Sequence, residues 1–323
     1  MSAFVDRVSF FTEPAIKAGN DQLEFTVVPD WGSNLISLVE KRKNKELLRV
    51  PSSSNEYWEK PVLYGTPILF PPNRIDQGCF TFEGRNYNFK INEEEKQNHI
   101  HGFVHTKKWD VIKSRTDGTR AEIVTEFNSS KHGDIMLQFP HHYILRMNYI
   151  LEGNVLEKNM EVINRSSETL PLGIGFHTSF LFPEDSSSFA LLAEKRWVLD
   201  DRCLPTGELE EIPYSNKLKQ GMSLKGLALD EVFLSSPGQD GFYEAKLSNQ
   251  DSGVDISYKT DENFKHWVVY NMDGEQGFVC PKPYTWVTNA PNIDLPASLT
   301  GLQSLKPGER KIFKTKIQVT TIQ

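Results

Sequence analysis

Apolar and polar residues alternate with a period of two along much of the chain, the pattern of strands with one buried face. Residues 79–91, CFTFEGRNYNFKI, predict two short strands joined at Glu83–Asn86. Residues 243–261, YEAKLSNQDSGVDISYKTD, predict a hairpin that turns at Asp251–Gly253. The apolar side chains of the first pair are expected to face the core: Phe80, Phe82, Tyr87 and Phe89.

Longer alternating runs extend the same pattern. Residues 120–130 alternate, residues 136–167 predict a run of strands broken at Glu152–Asn154, and residues 310–323 predict a final strand. Helical periodicity is scarce, and only two segments have room for a helical turn or two, near Asn55–Lys60 and near Leu295–Gly301. The sequence therefore predicts an all-β chain, a large antiparallel β-sandwich with minimal helix that forms a single domain over residues 1–323.

Composition narrows the possible partners. The 323 residues carry a net charge of −7 without a basic stripe, which disfavours nucleic acid and membrane surfaces as partners and fits a small polar ligand. No apolar run is long enough to span a membrane, and the N-terminus lacks a signal-peptide core. Cys79, Cys203 and Cys280 are widely spaced, which favours reduced thiols and a cytoplasmic protein.

Three of the eight histidines lie close together in QNHIHGFVHTKKW: His99, His101 and His105. The spacing H-x-H-x-x-x-H could place metal ligands on one face of a strand. Asp110, however, lies too far along to complete the carboxylate-containing pattern of His-rich sandwiches. We therefore expect no metal and no other cofactor, and the simpler interpretation of His99 and His105 is as solvated or satisfied loop residues.

Five segments in a fixed order change the interpretation of His101. They are TPILFPPNRIDQGCFTFEGRNYNF, NHIHGF, LPLGIGFHTSF, LALDEVFL and FVCPKPYTWVTNAPNI. Together they resemble the aldose 1-epimerase (galactose mutarotase) family, and the similarity runs from about residue 30 to about residue 310. The resemblance implies a galactose mutarotase-like supersandwich with a sugar cleft. It also implies an isomerase that interconverts the α and β anomers of a hexose by acid–base ring opening.

The resemblance also implies roles for individual residues. A base removes the proton of the anomeric hydroxyl, an acid protonates the ring oxygen, and the open-chain aldehyde turns about its C1–C2 bond before it closes again. His177 would be the acid, with His101 and Arg74 hydrogen-bonded to the ring oxygen and hydroxyls, and with Asn73 and Asp230 binding the sugar. Each also has a structural alternative, such as a surface salt bridge for Arg74, a turn cap for Asp230 or a buried satisfied imidazole for His177.

Aromatic residues are candidates for a floor under the sugar ring. Aromatic side chains at strand spacing are more often core residues, so we expect at most one of the candidates to contact a ligand. The candidates are Trp109, Trp267, Trp286 and Tyr284.

One position departs from the family pattern. The family's catalytic base is a glutamate, and Cys280 fixes the register in VCPKPYTWVTNAPN so that this glutamate falls on Lys282. Lys282 could point elsewhere, with Asp230, Glu231 or a water as the base. It could itself be the base if burial and like charge lower its pKa. Alternatively, the protein has no catalytic base. If the family alignment holds, the side chain of Lys282 faces the anomeric hydroxyl, opposite His177.

Three function classes remain at this stage: an isomerase of the aldose 1-epimerase type, a sugar-binding pseudoenzyme on the same fold, and a metal-dependent β-sandwich enzyme. The first two require Arg74, His101, His177 and Asp230 to converge in one cleft although they are far apart in sequence. A cationic Lys282 beside Arg74 would also widen the ligand class from neutral hexoses to phosphorylated or acidic ones.

Overall fold

The computed structural model describes residues 2–321, and strands make up about half of the chain, which confirms the predicted all-β class. The strands are, in chain order, β1 (Phe4–Phe10), β2 (Glu13–Gly19), β3 (Leu23–Val28), β4 (Asn34–Glu40), β5 (Lys45–Glu46), β6 (Ile68–Leu69), β7 (Arg74–Asp76), β8 (Cys79–Phe82), β9 (Arg85–Asn88), β10 (Asn98–Ile100), β11 (Asp110–Asp117), β12 (Arg120–Asn128), β13 (Tyr143–Glu152), β14 (Val155–Asn164), β15 (Leu170–Leu172), β16 (Gly175–Phe176), β17 (Phe180–Leu181), β18 (Ser187–Leu191), β19 (Ala193–Leu199), β20 (Pro205–Glu211), β21 (Asp230–Ser235), β22 (Tyr243–Asn249), β23 (Val254–Thr260), β24 (His266–Tyr270), β25 (Phe278–Tyr284), β26 (Gln303–Leu305) and β27 (Arg310–Thr321).

The helices are short, as the scarcity of helical periodicity indicates. Two of them, α1 (Ser54–Glu59) and α4 (Ala297–Thr300), lie where the sequence predicts helical turns, whereas α2 (Gly133–Met136) and α3 (Ser215–Gln220) were not predicted. None of the helices between residues 2 and 321 is long and apolar enough to cross a membrane. The α-helices are α1 (Ser54–Glu59), α2 (Gly133–Met136), α3 (Ser215–Gln220) and α4 (Ala297–Thr300), and 3₁₀ turns occupy Pro29–Trp31, Pro61–Leu63, Glu94–Lys96, Ser129–Lys131 and Ala290–Asn292.

Two large antiparallel sheets face each other. The first has the order β11-β12-β13-β14-β27-β23-β22-β18, and the second has the order β20-β19-β21-β24-β25-β16-β6, with β17 also paired to β25. Their inner faces meet in one core, where the Tyr258 ring of the first sheet lies 5.6 Å from the Trp267 ring of the second. A five-stranded meander, β1 to β5, and three two-stranded pairs complete the fold. The arrangement is the predicted sandwich.

The predicted hairpins are largely confirmed. β22 pairs with β23, and β13 pairs with β14 on either side of Gly153–Asn154. Two details differ. The β8–β9 turn is only Glu83–Gly84, and Phe82 beside it is partly buried rather than a full core residue. Residues 136–142 form the end of α2 and a loop that leads into β13, because Pro140 cannot donate to a strand ladder.

Candidate functional site

A cleft of about 410 Å³ opens beside the second sheet, where β21, β24 and β25 meet the β7–β10 pair and the segment that follows α1. All six residues that the sequence selects for the site contribute to its lining, although they come from distant parts of the chain. The lining consists of Glu59, Lys60, Pro61, Val62, Leu63, Asn73, Arg74, Asn92, Ile100, His101, His105, His177, Asp230, Tyr270 and Lys282.

Arg74 is held rigidly in one wall of the cleft. It lies at the start of β7, opposite Ile100 in the antiparallel β7–β10 pair. Its guanidinium donates from Nε and Nη2 to both carboxylate oxygens of Glu93 at 2.9–3.1 Å, the bidentate geometry that fixes an arginine in the plane of its partner. Asn98 Nδ2 donates to the same carboxylate at 3.1 Å. Glu93 therefore orients Arg74 toward the cleft, although in sequence Glu93 belongs to an ordinary acidic run.

Asn73 connects the wall to its surroundings. Its Oδ1 accepts from the backbone N–H of Arg74 at 2.9 Å, and its Nδ2 donates to Thr288 Oγ1 at 2.6 Å. Its backbone carbonyl accepts from the N–H of His101 at 3.0 Å. The residue was selected as a sugar ligand, but most of its hydrogen-bonding groups are used to shape the wall.

The NHIHG segment turns sharply after β10. His101 has a φ of +67°, an uncommon left-handed conformation for a residue with a side chain. Gly102 follows with a φ of +62°, and a Cβ at that position would lie 2.2 Å from the carbonyl oxygen of Phe70. Only glycine fits against this carbonyl. The tight turn that this glycine permits brings the His101 ring to the cleft.

His177 approaches the same point from β16. Its backbone N–H donates to the carbonyl of Pro67 at 2.9 Å, and only 2% of the residue is exposed. The His101 and His177 rings lie 5.3 Å apart and are nearly perpendicular. The Nδ1 atom of each ring is buried and makes no hydrogen bond to any residue between 2 and 321. Because these Nδ1 atoms are closed off from solvent, the nitrogen that each ring can offer to a ligand in the cleft is Nε2.

Burial sets the charge state of both rings. Burial lowers the pKa of His177 well below its usual value, and the positive charge of Lys282 lowers it further. The pKa of His101 is also lowered well below its usual value, first by burial and then by His177 and Lys282. Both imidazoles are therefore neutral over the ordinary pH range.

The opposite wall belongs to the second sheet. One row of cross-strand neighbours runs over β21, β24 and β25 and consists of Asp230, Tyr270 and Cys280. Lys282 lies two positions after Cys280 in β25, so its side chain is on the same face of the sheet. The Lys282 ammonium lies 3.9 Å from Asp230 Oδ1 and 5.0 Å from the centre of the Tyr270 ring. Asp230 Oδ2 in turn lies 3.8 Å from Arg74 Nη2. Lys282 thus enters the cleft rather than pointing elsewhere, and Asp230 bridges the two cations.

The pKa of Lys282 is lowered chiefly by burial, with a smaller contribution from the like charge of Arg74. The carboxylate of Asp230 and the Cys280 thiol act in the opposite direction. Lys282 is only 4% exposed, so little water reaches its amine except from the cleft.

Glu231 does not belong to the cleft. The pleat of β21 turns it away from Asp230, and its carboxylate accepts from Arg196 and, at 3.1 Å, from the Tyr214 hydroxyl. Of the two carboxylates that the sequence offered as replacement bases, only Asp230 lies among the lining residues.

The charges in the cleft balance. Its lining contributes three cations and two carboxylates, and the third carboxylate is the Glu93 side chain bound to Arg74. The cations are Lys60, Arg74 and Lys282, and the lining carboxylates are Glu59 and Asp230.

The three clustered histidines do not form a common ligand set. The His99 ring lies outside the cleft lining, where Nδ1 hydrogen-bonds to the carbonyl of Lys90 at 2.8 Å and the ring packs on Phe89 and Phe103. Between residues 2 and 321, no group of three or more histidine, cysteine or acidic side chains is arranged to hold a metal ion. His105 lines the cleft, and burial lowers its pKa to about 4. Its membership in the site was not expected from the sequence.

The aromatic floor differs from the candidates considered in the sequence. Tyr270 is the aromatic side chain of the lining, and it was not among them. The four candidates are nearly fully buried core residues and do not line the cleft: Trp109, Trp267, Trp286 and Tyr284.

The amino-acid sequence is similar to that of a known family and of individual relatives over much of the chain. The family model for aldose 1-epimerase matches residues 14–318. The uncharacterized protein YihR of Escherichia coli K12 is 23% identical over 208 residues, which cover 63% of this chain and 64% of YihR. The galactose mutarotase of Sus scrofa is 23% identical over 202 residues, which cover 60% of this chain and 56% of that protein. Each of these matches spans less than two thirds of the relative.

Solved structures extend the similarity to the whole chain. A galactose mutarotase-like protein from Clostridium acetobutylicum superposes with a TM-score of 0.95 at 28% identity, covering 99% of both chains. The galactose 1-epimerase of Lactobacillus acidophilus has the same fold, with a TM-score of 0.76 at 14% identity over 99% of both chains. The chain therefore belongs to the aldose 1-epimerase family and has the galactose mutarotase-like fold.

Proposed function

We propose that the protein is an isomerase that interconverts the α and β anomers of a neutral aldose, with a hexose as the expected substrate. The observation that carries the proposal is the convergence of Arg74, His101, His177, Asp230 and Lys282 in one cleft. The cleft volume of about 410 Å³ lies in the range typical of small-molecule sites. Family membership supports the same class of reaction.

The balance of charges supports a neutral sugar over a phosphorylated or acidic one. Arg74 is already engaged by Glu93 at hydrogen-bonding distance, and Lys282 and Arg74 share the carboxylate of Asp230. An anionic substrate would have to compete with these carboxylates for the same cations. A neutral sugar instead offers hydroxyl groups, which both donate to Asp230 and accept from Arg74.

The lysine at position 282 exchanges the acid and base roles that the family resemblance implies. Ring opening needs one group that holds a proton and one that accepts a proton. Asp230 opposes the lowering of the pKa of Lys282, whereas the charge of Lys282 adds to the lowering at His177. We therefore assign the proton to Lys282, whose ammonium faces the Asp230 carboxylate at 3.9 Å, so that Lys282 is the acid and the neutral His177 is the base.

The reaction then follows from these two charge states. His177 accepts the proton of the anomeric hydroxyl while the Lys282 ammonium donates a proton to the ring oxygen, and the bond between C1 and the ring oxygen breaks. The open-chain aldehyde turns about its C1–C2 bond, and the two protons return as the ring closes on the other face. The sugar is bound with its ring oxygen toward Lys282. Acid or base assistance of this kind is worth roughly 10²–10⁴ in rate for each group.

The remaining residues bind and orient the sugar. Arg74 is fixed by Glu93 and presents donors to the hydroxyl oxygens, and the imidazole of His101 offers its Nε2 atom to the same ligand. Asp230 accepts from sugar hydroxyls and holds the Lys282 ammonium. Such fixed polar groups reduce the entropy that the substrate loses on reaching the reactive geometry.

Polarimetry on freshly dissolved α-D-glucose and α-D-galactose tests the function. We expect wild-type protein to accelerate the approach to anomeric equilibrium with at least one of these sugars, and His177→Asn to lose roughly 10²–10⁴ of that acceleration. Circular dichroism of the variant controls for folding. A wild-type protein that binds these sugars but leaves the rate at the buffer value would instead be a sugar-binding protein without turnover.

A further inference from the structure

The surroundings of Lys282 suit an amine that attacks a carbonyl carbon. Its amine is buried, a second cation lies nearby in Arg74, and a carboxylate is positioned 3.9 Å away in Asp230. Desolvation beside another cationic group is one of the ways in which a lysine becomes a nucleophile. The amine also reaches an accessible cleft, because Lys282 is part of the lining.

We propose that Lys282 captures the open-chain form of its aldose substrate as a covalent imine between Nζ and C1. The proposal rests on the proposed function, because ring opening is what presents an aldehyde to this amine. The ligand class is any aldose that can present a free aldehyde in the cleft. This covalent bond goes beyond the proposed function, because acid catalysis by Lys282 does not require one.

Ring opening leaves the groups ready for the step. Lys282 has given a proton to the ring oxygen and is a neutral amine, and His177 has become an imidazolium beside O1. The ring oxygen that accepted the proton was bonded to C1, so C1 lies within about one bond length of the atom that Nζ contacts. The carbonyl carbon and the amine are therefore neighbours at the moment when the amine is free.

The chemistry balances without any further reactant. The Nζ lone pair forms a bond to C1, the carbonyl π electrons move to O1, and O1 takes a proton from the His177 imidazolium to give an N-protonated carbinolamine. The nitrogen then passes one of its two protons by way of Asp230 to O1, the C1–O1 bond breaks to release water, and the nitrogen lone pair closes the C1=N bond of a protonated imine. Counted from the cyclic sugar, one Lys282 ammonium and one aldose give one protonated imine and one water, and His177 and Asp230 end as they began.

The imine also provides a second route between anomers. Hydrolysis restores the aldehyde, and the chain is free to turn about C1–C2 before it closes. Lys158 offers a contrast within the same molecule, since it is also buried but is absent from the cleft lining. If the imine forms at Lys282 and not at Lys158, its cause is the access of Lys282 to the cleft and its charged neighbours, because both lysines are buried.

Reductive trapping tests the proposal. Wild-type protein is incubated briefly with D-galactose, and in parallel with D-glyceraldehyde, in the presence of sodium cyanoborohydride, and every lysine is mapped by peptide mass spectrometry. We expect a reduced adduct concentrated on Lys282, with exposed lysines such as Lys43 modified far less and Lys158 not at all. Lys282→Arg should lose the adduct, while circular dichroism verifies its fold.

Two results would overturn the imine. One is the absence of an adduct on Lys282 with both probes, and the other is an adduct spread evenly over exposed lysines. Polarimetry on the same preparation separates this failure from a failure of the proposed function. Anomer interconversion without a Lys282 adduct removes the imine and leaves the isomerase. A Lys282 adduct without interconversion removes the isomerase and leaves a lysine that binds aldehydes covalently.

Discussion

Two buried lysines lie on opposite sides of one short segment of chain, Phe176–Thr178. On the cleft side, Lys282 faces the carboxylate of Asp230 at 3.9 Å. On the core side, the Lys158 ammonium lies 4.6 Å from the centre of the Phe176 ring and 3.4 Å from the Tyr258 hydroxyl, which also accepts from Thr178. His177, between Phe176 and Thr178, turns its ring the other way, into the cleft.

The difference shows that burial and chemistry are separate properties. Burial alone lowers the pKa of Lys158 to about 7, yet this amine has no route to a substrate. Lys282 is also desolvated, but Asp230 acts against the lowering of its pKa and the cleft gives it access. A perturbed pKa therefore identifies a functional lysine only in combination with a cleft and a partner charge.

The largest effect that separates the two lysines is on catalysis. Replacing Lys282 by methionine removes the acid while keeping the shape of the side chain, so we expect kcat to fall by roughly 10²–10⁴. The same substitution at Lys158 should leave kcat within a few-fold of wild type. Polarimetric rates at saturating sugar measure both. If Lys158→Met lost as much activity as Lys282→Met, the contrast between cleft and core would be wrong.

The second effect concerns the pH dependence of stability. The pKa of Lys158 is about 7 in the folded protein and about 10.5 in the unfolded chain. Between these values the unfolded chain binds more protons, so Lys158 makes the free energy of unfolding rise with pH by roughly 1.4 kcal/mol per pH unit. Lys158→Met should remove this slope and should be more stable than wild type near neutral pH, because an unpaired buried amine is replaced by an apolar side chain.

Urea unfolding at several values between pH 7 and pH 10 gives the slope for both proteins. The difference between the two curves isolates Lys158 from other groups that titrate in this range. Equal slopes would mean that the Lys158 amine is solvated in the folded protein.

A smaller effect is expected at Asp230, which lies two strands from Lys282 in the second sheet. Asp230→Asn removes the carboxylate that opposes the lowering of the Lys282 pKa, so the alkaline fall in kcat should move to lower pH. Glu231→Gln is the matched control, since it changes the neighbouring carboxylate on the opposite face of β21 and should leave the profile in place. A shift of equal size in both variants would count against a specific Asp230–Lys282 pair.

The strands were predictable because their side chains alternate and their turns carry glycine. The β22–β23 hairpin illustrates this, with Asn249 and Val254 ending and beginning strands around Gly253. The helix α3 was not predicted, because SNKLKQ contains a single buried residue, Leu218, and so has no apolar periodicity. The alternating pattern also predicts strand for residues 136–142, although Pro140 interrupts any ladder there.

The site was predictable only where a residue belongs to an ordered motif. Arg74 and His177 stand in such motifs, and the structure places both in one cleft. Glu93 and Tyr270 stand in no motif, and their positions depend on long-range contacts that no local pattern encodes. Glu93 resembles any solvated acidic residue in sequence, and only the fold shows that it clamps a guanidinium. The orientation of Lys282 was open for the same reason.

The pH profile of kcat for anomer interconversion tests the central claim, that Lys282 is the acid and His177 the base. Because the acid must hold its proton, we expect wild-type kcat to be flat near neutral pH and to fall as pH rises through the lowered pKa of Lys282, below the ordinary lysine value of about 10.4. Lys282→Met should show a low rate without this fall. A wild-type kcat that rises with pH through the same range would make Lys282 the base and contradict the account.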